Sequence, residues 1–456
     1  MNNTPLHIVI LAAGKGTRMY SKLPKVLHEI GGLPMVTRVI DTAQTLNPAS
    51  TTVVIGHGKD RVLDTVKRDV NWVEQIEQLG TGHAVKMALP HLPETGRTLV
   101  LYGDVPLIDT ATLEALLAAA GDEVGLLTDL LDDPSGYGRI IRENGKVTAI
   151  VEEKDANAEQ KAVQEINTGI LVLPNSKLES WLSALQSNNA QGEYYLTDLI
   201  ALANRDGIAV HPVQVAASHL AAGVNNKIQL AELERIFQAE QAQALLKAGV
   251  TLRDPARFDL RGKLVHGQDV IIDANVIIEG EVELGDDVVI DANCVLINCK
   301  VASGTHIKPF SHLEKCEVGA DSHIGPFARL RPQAILGEGV HIGNFVEVKN
   351  TTMGSGSKAN HLTYLGDAEV GYNANIGAGT ITCNYDGVNK FKTVIEDEAR
   401  IGSSTMLVAP LTVGKRATTG AGSVITRDCP PGKLTVGRAR QHTIENWERP
   451  EKPAKK

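Results

Sequence analysis

Aromatic side chains are scarce: six Phe, eight Tyr and three Trp amount to 4% of the 456 residues. Hydrophobic residues still reach 43%, so two to four ordinary domains can be supplied with cores, provided that aliphatic and small side chains build them. Glycine, at 43 residues, stands above the usual share of about 7%, and small residues in place of rings point to a thin, tightly wound element. Cysteine is also sparse. Cys294, Cys299, Cys316, Cys383 and Cys429 are odd in number, lack CxxC spacing and all fall in the second half, which excludes a disulfide framework and a clustered zinc site. Reduced, mostly buried thiols are the expectation, in keeping with a reducing compartment.

Positive charge is not in excess either. The net charge is -9, which excludes bulk binding of nucleic acid, because a phosphate backbone needs a basic face. Any phosphate must be held by a local site. Long apolar runs are missing: no segment approaches the ~20 residues that span a bilayer, so no membrane is expected. The opening MNNTPLHIVILAAGKG has no basic start, and its apolar run from Leu6 to Leu11 is shorter than the ~7–15 residues of a signal peptide. A soluble, cytoplasmic protein is the expectation.

What is present divides into two periods. From residue 6 to about 225, buried-strand runs alternate with helical spacing. Leu6–Leu11, Thr51–Gly56, Arg97–Asp104, EVGLLT and TGILVL read as strands, with Val36–Thr45 and Ala111–Ala120 as helices between them. That alternation predicts an α/β domain with a mostly parallel sheet covered on both faces. Lys227–Lys247 reads as one long helix with a broad stripe of Ile228, Leu230, Leu233, Ile236, Phe237, Ala244, Leu245 and Leu246, and Gly249 as its stop. Glu240 and Gln241 interrupt the stripe, so one turn should be less buried.

After residue 265 the period becomes six. Ile272, Ile278, Leu284, Ile290 and Leu296 recur, with Val276, Val282, Val288 and Cys294 at the same interval. The frame slips near Ala302, returns at Val318, Ile324, Leu330, Leu336 and Ile342, and continues through Met353, Val370, Ile376, Ile401, Leu407, Val413 and Thr419. This is the hexapeptide β-helix signature, and three hexads make one triangular coil of roughly eighteen residues. About nine coils at the strand spacing give a prism on the order of 43 Å long. Rings would not fit inside it, which accounts for the aromatic shortage.

The first strand leads into Leu11-Ala12-Ala13-Gly14-Lys15-Gly16-Thr17-Arg18-Met19, with Pro24-Lys25 beyond. A Gly-rich turn after a strand lets backbone N–H groups approach phosphate oxygens while nearby cations neutralise them. The GK[ST] ending of a P-loop and the third glycine of the dinucleotide fingerprint are both missing. Tyr102-Gly103-Asp104 closes a hydrophobic strand, where open sheets meet their ligands.

These motifs resemble the nucleotidyltransferases that make nucleotide sugars. Gln75, Gly80-adjacent Thr81, the Gly136–Arg139 run, Glu152, the Asn167–Gly169 run and Gly223–Asn226 continue the match. The resemblance implies that Leu11, Ala12, Ala13, Gly14, Gln75, Gly80 and Thr81 read the uracil. It implies that Gly138, Glu152 and Asn167 hold an N-acetylated sugar, and it brings Tyr102 and Gly103 into the nucleotide–sugar site. Arg18 and Lys25 would hold the phosphates during catalysis, and Asp104 with Asn225 would ligate Mg²⁺, which prefers few protein oxygens.

In the second half, polar residues break the hexad rhythm at Arg331 and Asn344–Asn350, at Asn360–Asp367, and at Gly379–Gly387 running into Lys390 and Lys392. His361 suits removal of a proton from an attacking amine. Arg331 and Lys349 suit a phosphate clamp. Taken with the first half, these blocks resemble, along nearly the full chain, the bifunctional bacterial enzymes that make UDP-N-acetylglucosamine.

That resemblance implies a Rossmann-like nucleotidyltransferase domain over residues 1–227, a linker helix over 228–248 and a left-handed parallel β-helix acetyltransferase domain over 249–456. It implies acetyl transfer from acetyl-CoA to glucosamine 1-phosphate with His361 as general base, then uridylyl transfer from UTP to N-acetylglucosamine 1-phosphate. Arg331, Lys349, Tyr364 and Asn375 would hold the sugar phosphate; Ala378, Asn384, Tyr385, Ser403, Ala421 and Arg438 would meet acetyl-CoA. A homotrimer through the β-helix is implied as well.

The chain departs from the family pattern at Ala221-Ala222, Arg400, Ser404 and Thr419, which bears on CoA binding and coil packing. The tail Pro450–Lys456 reads as a frayed, solvated end. Two other readings stay open: a single-activity pyrophosphorylase whose prism only oligomerises or regulates, and a non-catalytic scaffold. The set Arg18, Lys25, Asp104 and Asn225 argues against the second.

Overall fold

The computed structural model describes residues 4–452, so the start of the chain and the end of its basic tail lie outside the described residues. Two compact units follow one another, Met1–Glu240 and Gln241–Lys456, and the division falls inside the helix Lys227–Lys247.

In the first unit a nine-stranded mixed sheet forms from β1 (Leu6–Ala12), β2 (Ser50–Ile55), β3 (Asn71–Glu74), β4 (Arg97–Tyr102), β5 (Val124–Leu130), β6 (Arg139–Glu143), β7 (Lys146–Val151), β8 (Glu165–Pro174) and β9 (Val210–Gln214). The main order is β9-β5-β8-β4-β1-β2-β3. β1 pairs parallel with both β4 and β2, while β8 runs antiparallel between β4 and β5. Side chains of β1 alternate between two cores: Ile8 and Ile10 join one, Val9 and Leu11 the other. Both faces are therefore covered, as the aliphatic runs require. Because the chain leaves β1 to one side and reaches β4 on the other, a crevice opens beyond their carboxyl ends, the usual ligand position of an open α/β sheet.

The second unit is a left-handed parallel β-helix. One face of it stacks eleven short parallel strands among the described residues, from Thr251–Leu252 to Leu434–Thr435. The prism thus starts earlier and has more rungs than the nine coils expected from the hexads. The first coil is hard to read because a 3-10 turn, Pro255–Arg257, interrupts it, yet Leu252, Phe258 and Leu260 already belong to the core. Inward positions match the six-residue frame: Ile272, Ile278, Ile290, Leu296, Ile324 and Leu330 are fully buried. Small hydroxyl residues fill the intervening inward positions and bond to the next coil's carbonyls, as Thr305 does to Gly319 at 2.9 Å and Ser357 to Gly371 at 2.7 Å. Thr419 is satisfied differently: its hydroxyl accepts from the Gly402 N–H of the preceding coil at 2.9 Å. The departure from an aliphatic residue there is accommodated.

The helix Lys227–Lys247 corrects one expectation. Leu233 packs with Met19, Ile30 and Met35, and Ala242 and Leu245 join the prism core. Leu230, Ile236 and Phe237 pack beside Leu233, but Ile228 and Leu246 are 70% and 42% exposed and Ala244 is exposed too, so the stripe is narrower than its period implies. Among the described residues no helix is long and apolar enough to cross a membrane.

Candidate active sites

In the first unit, β1 ends at Ala12 and the chain turns through Gly14–Gly16 into the short 3-10 helix Thr17–Met19. Gly16 takes φ of 60°, and a Cβ there would lie 2.6 Å from the Lys25 Cβ, so only glycine lets Lys25 pass beneath the turn. The largely buried Lys25 ammonium bonds to the Asp104 carboxylate and reaches Asn225 Oδ1 at 3.3 Å. Arg18 Nη2 donates to the same Asn225 oxygen at 2.9 Å. Asp104 is tied to that segment through its carbonyl, which accepts from the Val224 N–H at 2.9 Å. Four residues spread over two hundred positions of sequence thus meet at the crevice.

Two oxygens, from Asp104 and Asn225, converge on one small cationic head. That donor set fits Mg²⁺, which takes one or two protein oxygens and fills its remaining positions with water and phosphate.

A cavity of about 450 Å³ opens beside this cluster. Leu11, Ala12, Ala13 and Gly14 form one wall, and Gln75, Gly80 and Thr81 another, with Tyr102, Lys25 and Asp104 between them. Gln78, not assigned a role from sequence, donates to the Ala13 carbonyl at 2.7 Å and fixes the first wall.

The remaining sugar-site candidates lie outside the lining of this cavity. Asn167 donates its N–H to the Gly138 carbonyl at 2.8 Å, and its side chain accepts from the Gly169 N–H at 2.9 Å. Gly169 takes φ of 89°, and a Cβ there would strike the Tyr102 ring at 2.6 Å. Glu152 accepts from the Thr197 hydroxyl at 3.0 Å, and burial raises its pKa above the ordinary carboxylate value. The segment Glu193–Asp198 was missed by sequence reasoning. It joins the wall at Thr81 to the sugar-site candidate Glu152, because the Tyr194 carbonyl accepts from Gly82, Leu196 N–H donates to Thr81, and Thr197 holds Glu152.

In the second unit, neighbouring coils bring Asn344 beside His361, and Asn344 Oδ1 lies 2.9 Å from His361 Nδ1. With the amide oxygen turned to the ring, which can only accept, Nδ1 carries the proton and Nε2 is left as the basic nitrogen. The next positions along the same corner follow rung by rung. Gly379 N–H donates to the His361 carbonyl at 3.1 Å, Ser404 N–H to Ala378 at 2.7 Å, and Gly422 N–H to Ser403 at 2.8 Å. Arg438 lies against Gly422. Ala378, Ser403, Ala421 and Arg438, read separately in the sequence, therefore form one strip that begins at His361.

Arg331 and the position of Lys349 lie on successive rungs, since the Arg331 N–H bonds the Val348 carbonyl at 2.8 Å. Arg331 is not free: Nη1 donates to Glu347 Oε1 at 2.7 Å. Lys349 has its pKa lowered by contact with Lys390 and by repulsion from it. Tyr364 folds its hydroxyl over Gly366, where a Cβ would lie 2.2 Å away. Asn375 stands in the column of Lys358, on the rung after it. Asn384 is buried and donates to the Asp367 carboxylate, which also accepts from Asn350, whereas Tyr385 is 61% exposed on the inserted loop. Asn344, Glu347 and Asp367 were not given roles by sequence reasoning; each lies one coil, about seventeen residues, from the residue it serves.

Residues 8–137 match the family model of a MobA-like NTP transferase domain, and residues 260–361 that of the GMPPB C-terminal domain. Over 453 residues the chain is 73% identical to the Bifunctional protein GlmU of Neisseria meningitidis serogroup B, covering 99% of each. With the protein of that name from Neisseria gonorrhoeae it shares 72% over the same length and coverage. With that of Chromobacterium violaceum it shares 62% over 449 residues, covering 98% of this chain and 99% of the relative. The chain belongs to the family of bifunctional GlmU proteins.

Proposed function

We propose that the chain is a bifunctional transferase of UDP-N-acetylglucosamine synthesis, with uridylyl transfer in residues 1–227, a connecting helix over 228–248 and acetyl transfer in residues 249–456. The β-helix acetylates glucosamine 1-phosphate with acetyl-CoA. The first unit then transfers uridylyl from UTP to N-acetylglucosamine 1-phosphate and releases pyrophosphate.

For acetyl transfer, the sugar amine attacks the thioester carbonyl, the N–C bond forms, the C–S bond breaks, and His361 Nε2 takes the amine proton. Asn344 keeps the imidazole in the tautomer this needs. Arg331 and Lys349 meet the sugar phosphate, with Tyr364 and Asn375 beside them. The strip from Ala378 to Arg438 receives the extended arm of acetyl-CoA, with Asn384 and Tyr385 near its reacting end. The observation that carries the reading is His361, with its basic nitrogen free, at the head of that strip.

For uridylyl transfer, a sugar-phosphate oxygen attacks the α-phosphorus and pyrophosphate leaves in line. This chemistry needs alignment and neutralised charge rather than a covalent nucleophile. Arg18 and Lys25 hold phosphate oxygens as negative charge moves to the leaving group. Mg²⁺ held by Asp104 and Asn225 would supply further neutralisation of the triphosphate. The walls at Ala12–Gly14 and Gln75–Thr81 take the base, while Gly138, Glu152 and Asn167 take the sugar.

We further infer a homotrimer through the β-helix, in the cytoplasm, where acetyl-CoA and UTP are available. Phe310, Phe327 and Phe345 support an intersubunit surface. In a chain so poor in rings they stack on successive coils with centroids 4.9 and 5.2 Å apart, and they are 51%, 45% and 56% exposed.

Paired variants test the assignment. His361→Ala abolishes acetylation of glucosamine 1-phosphate and leaves uridylyl transfer intact; Lys25→Ala does the reverse. Survival of both activities in either variant would overturn that residue's role.

A further inference from the structure

We propose that His83 is a positioning residue that sets which pyrimidine triphosphate the first unit accepts, by locking the Gln75 amide with its carbonyl oxygen toward the base. The inference rests on the reading of this cavity as a UTP site.

Gln75 is buried, lines the cavity and follows β3. Its Nε2 lies 3.1 Å from the Gly80 carbonyl oxygen and 3.0 Å from His83 Nδ1. The Gly80 carbonyl can only accept, so the amide nitrogen must be on that side. Its second hydrogen then goes to His83, whose Nδ1 accepts it only when the ring is neutral with its proton on Nε2. Among the described residues, Gln75 Oε1 takes no hydrogen bond. Both donors are consumed by protein, and the acceptor is left for a ligand.

The two anchors are themselves held. His83 sits in the helix Thr81–Ala88. Gly80 lies against Tyr194: the Tyr194 N–H donates to the Leu79 carbonyl at 2.8 Å, and a Cβ at Gly80 would be 2.6 Å from the Tyr194 oxygen. The amide cannot turn over without breaking both bonds.

A fixed acceptor at this wall separates the pyrimidines by their N3 atom. Uracil carries a hydrogen on N3 and donates to Oε1; cytosine presents a lone pair there and is repelled. A site built to bond a substrate N–H discriminates strongly against an analogue lacking it. Thymine has the same N3–H as uracil, so the device separates UTP from CTP and not UTP from dTTP. Without Nδ1, the amide is held by Gly80 alone and its orientation preference weakens.

The test uses full-length protein with N-acetylglucosamine 1-phosphate, Mg²⁺ and mixtures of UTP and CTP, reading the ratio of the two nucleotide sugars formed. Two variants are compared: His83→Leu, which removes the acceptor, and His83→Asn, whose Oδ1 restores one near the Nδ1 position. Acetyl transfer by each preparation serves as the folding control. His83→Leu should lower the UTP-to-CTP selectivity about fivefold, the usual weight of one such bond, and His83→Asn should stay within about twofold of the unsubstituted protein. An unchanged ratio in His83→Leu, an equal fall for both nucleotides, or no recovery in a folded His83→Asn overturns the role of His83. Unsubstituted protein that uses neither nucleotide removes the UTP-site reading itself, a result distinct from these.

Discussion

Removing the Asn344 side chain isolates what holds the proposed base in place. Asn344→Ala deletes the 2.9 Å partner of His361 Nδ1 and touches nothing assigned to the acetyl-CoA strip. The bond is neutral and His361 is exposed, so its net value is about 0.5–1.5 kcal/mol, below that of a charged partner. At 1.4 kcal/mol per tenfold, kcat for acetyl transfer should fall roughly twofold to twelvefold as the imidazole samples the wrong tautomer and orientation. KM for acetyl-CoA should stay within about twofold, because uniform binding is untouched. The assay is release of CoA thiol from acetyl-CoA and glucosamine 1-phosphate, with uridylyl transfer measured on the same preparation. An unchanged kcat, or a parallel loss of both activities, would refute the view that Asn344 orients the base.

Further outcomes follow from the same geometry. Thr197→Val removes a hydrogen bond that favours the ionised form of Glu152, so the acid limb of kcat/KM for uridylyl transfer should move to higher pH; a pH profile for N-acetylglucosamine 1-phosphate checks this. Because burial already raises the Glu152 pKa, this group's contribution to stability is present below the ordinary carboxylate pKa and is lost as pH rises through the raised value, a trend that Glu152→Gln should flatten in denaturation curves. Leu296→Ala, at a fully buried inward position far in sequence from the acetyl site, should destabilise the β-helix by about 2–5 kcal/mol in chemical denaturation. Gly169→Ala places a methyl 2.6 Å from the Tyr102 ring at φ of 89°, so uridylyl transfer should weaken while acetyl transfer persists, as kinetics on both reactions would reveal.

Much of this was legible in the sequence because periodicity is a local property. A six-residue interval assigns Ile272, Leu296 or Leu330 to the inside of a prism without knowledge of neighbouring coils. The turn after β1 and the Asp104 position could likewise be read from a strand and its glycines. What escaped was set by contacts between coils or walls. Asn344 and His361 become partners only when the coil length is seventeen residues, and Glu347 reaches Arg331 across the same step. Thr197 bonds to Glu152 from forty-five residues away, and His83 reaches Gln75 only because the chain turns between β3 and the helix Thr81–Ala88. The helix Lys227–Lys247 misled in the other direction, since Ile228 and Leu246 fit the period yet face outward.

The most direct test is mass spectrometry of the sugar products from glucosamine 1-phosphate, acetyl-CoA, UTP and Mg²⁺, with each reagent omitted in turn. The account expects UDP-N-acetylglucosamine from the full mixture, N-acetylglucosamine 1-phosphate when UTP is left out, and unmodified glucosamine 1-phosphate when acetyl-CoA is left out. A full mixture that leaves the amine free, or acetylates it and forms no uridine diphosphate sugar, would contradict it.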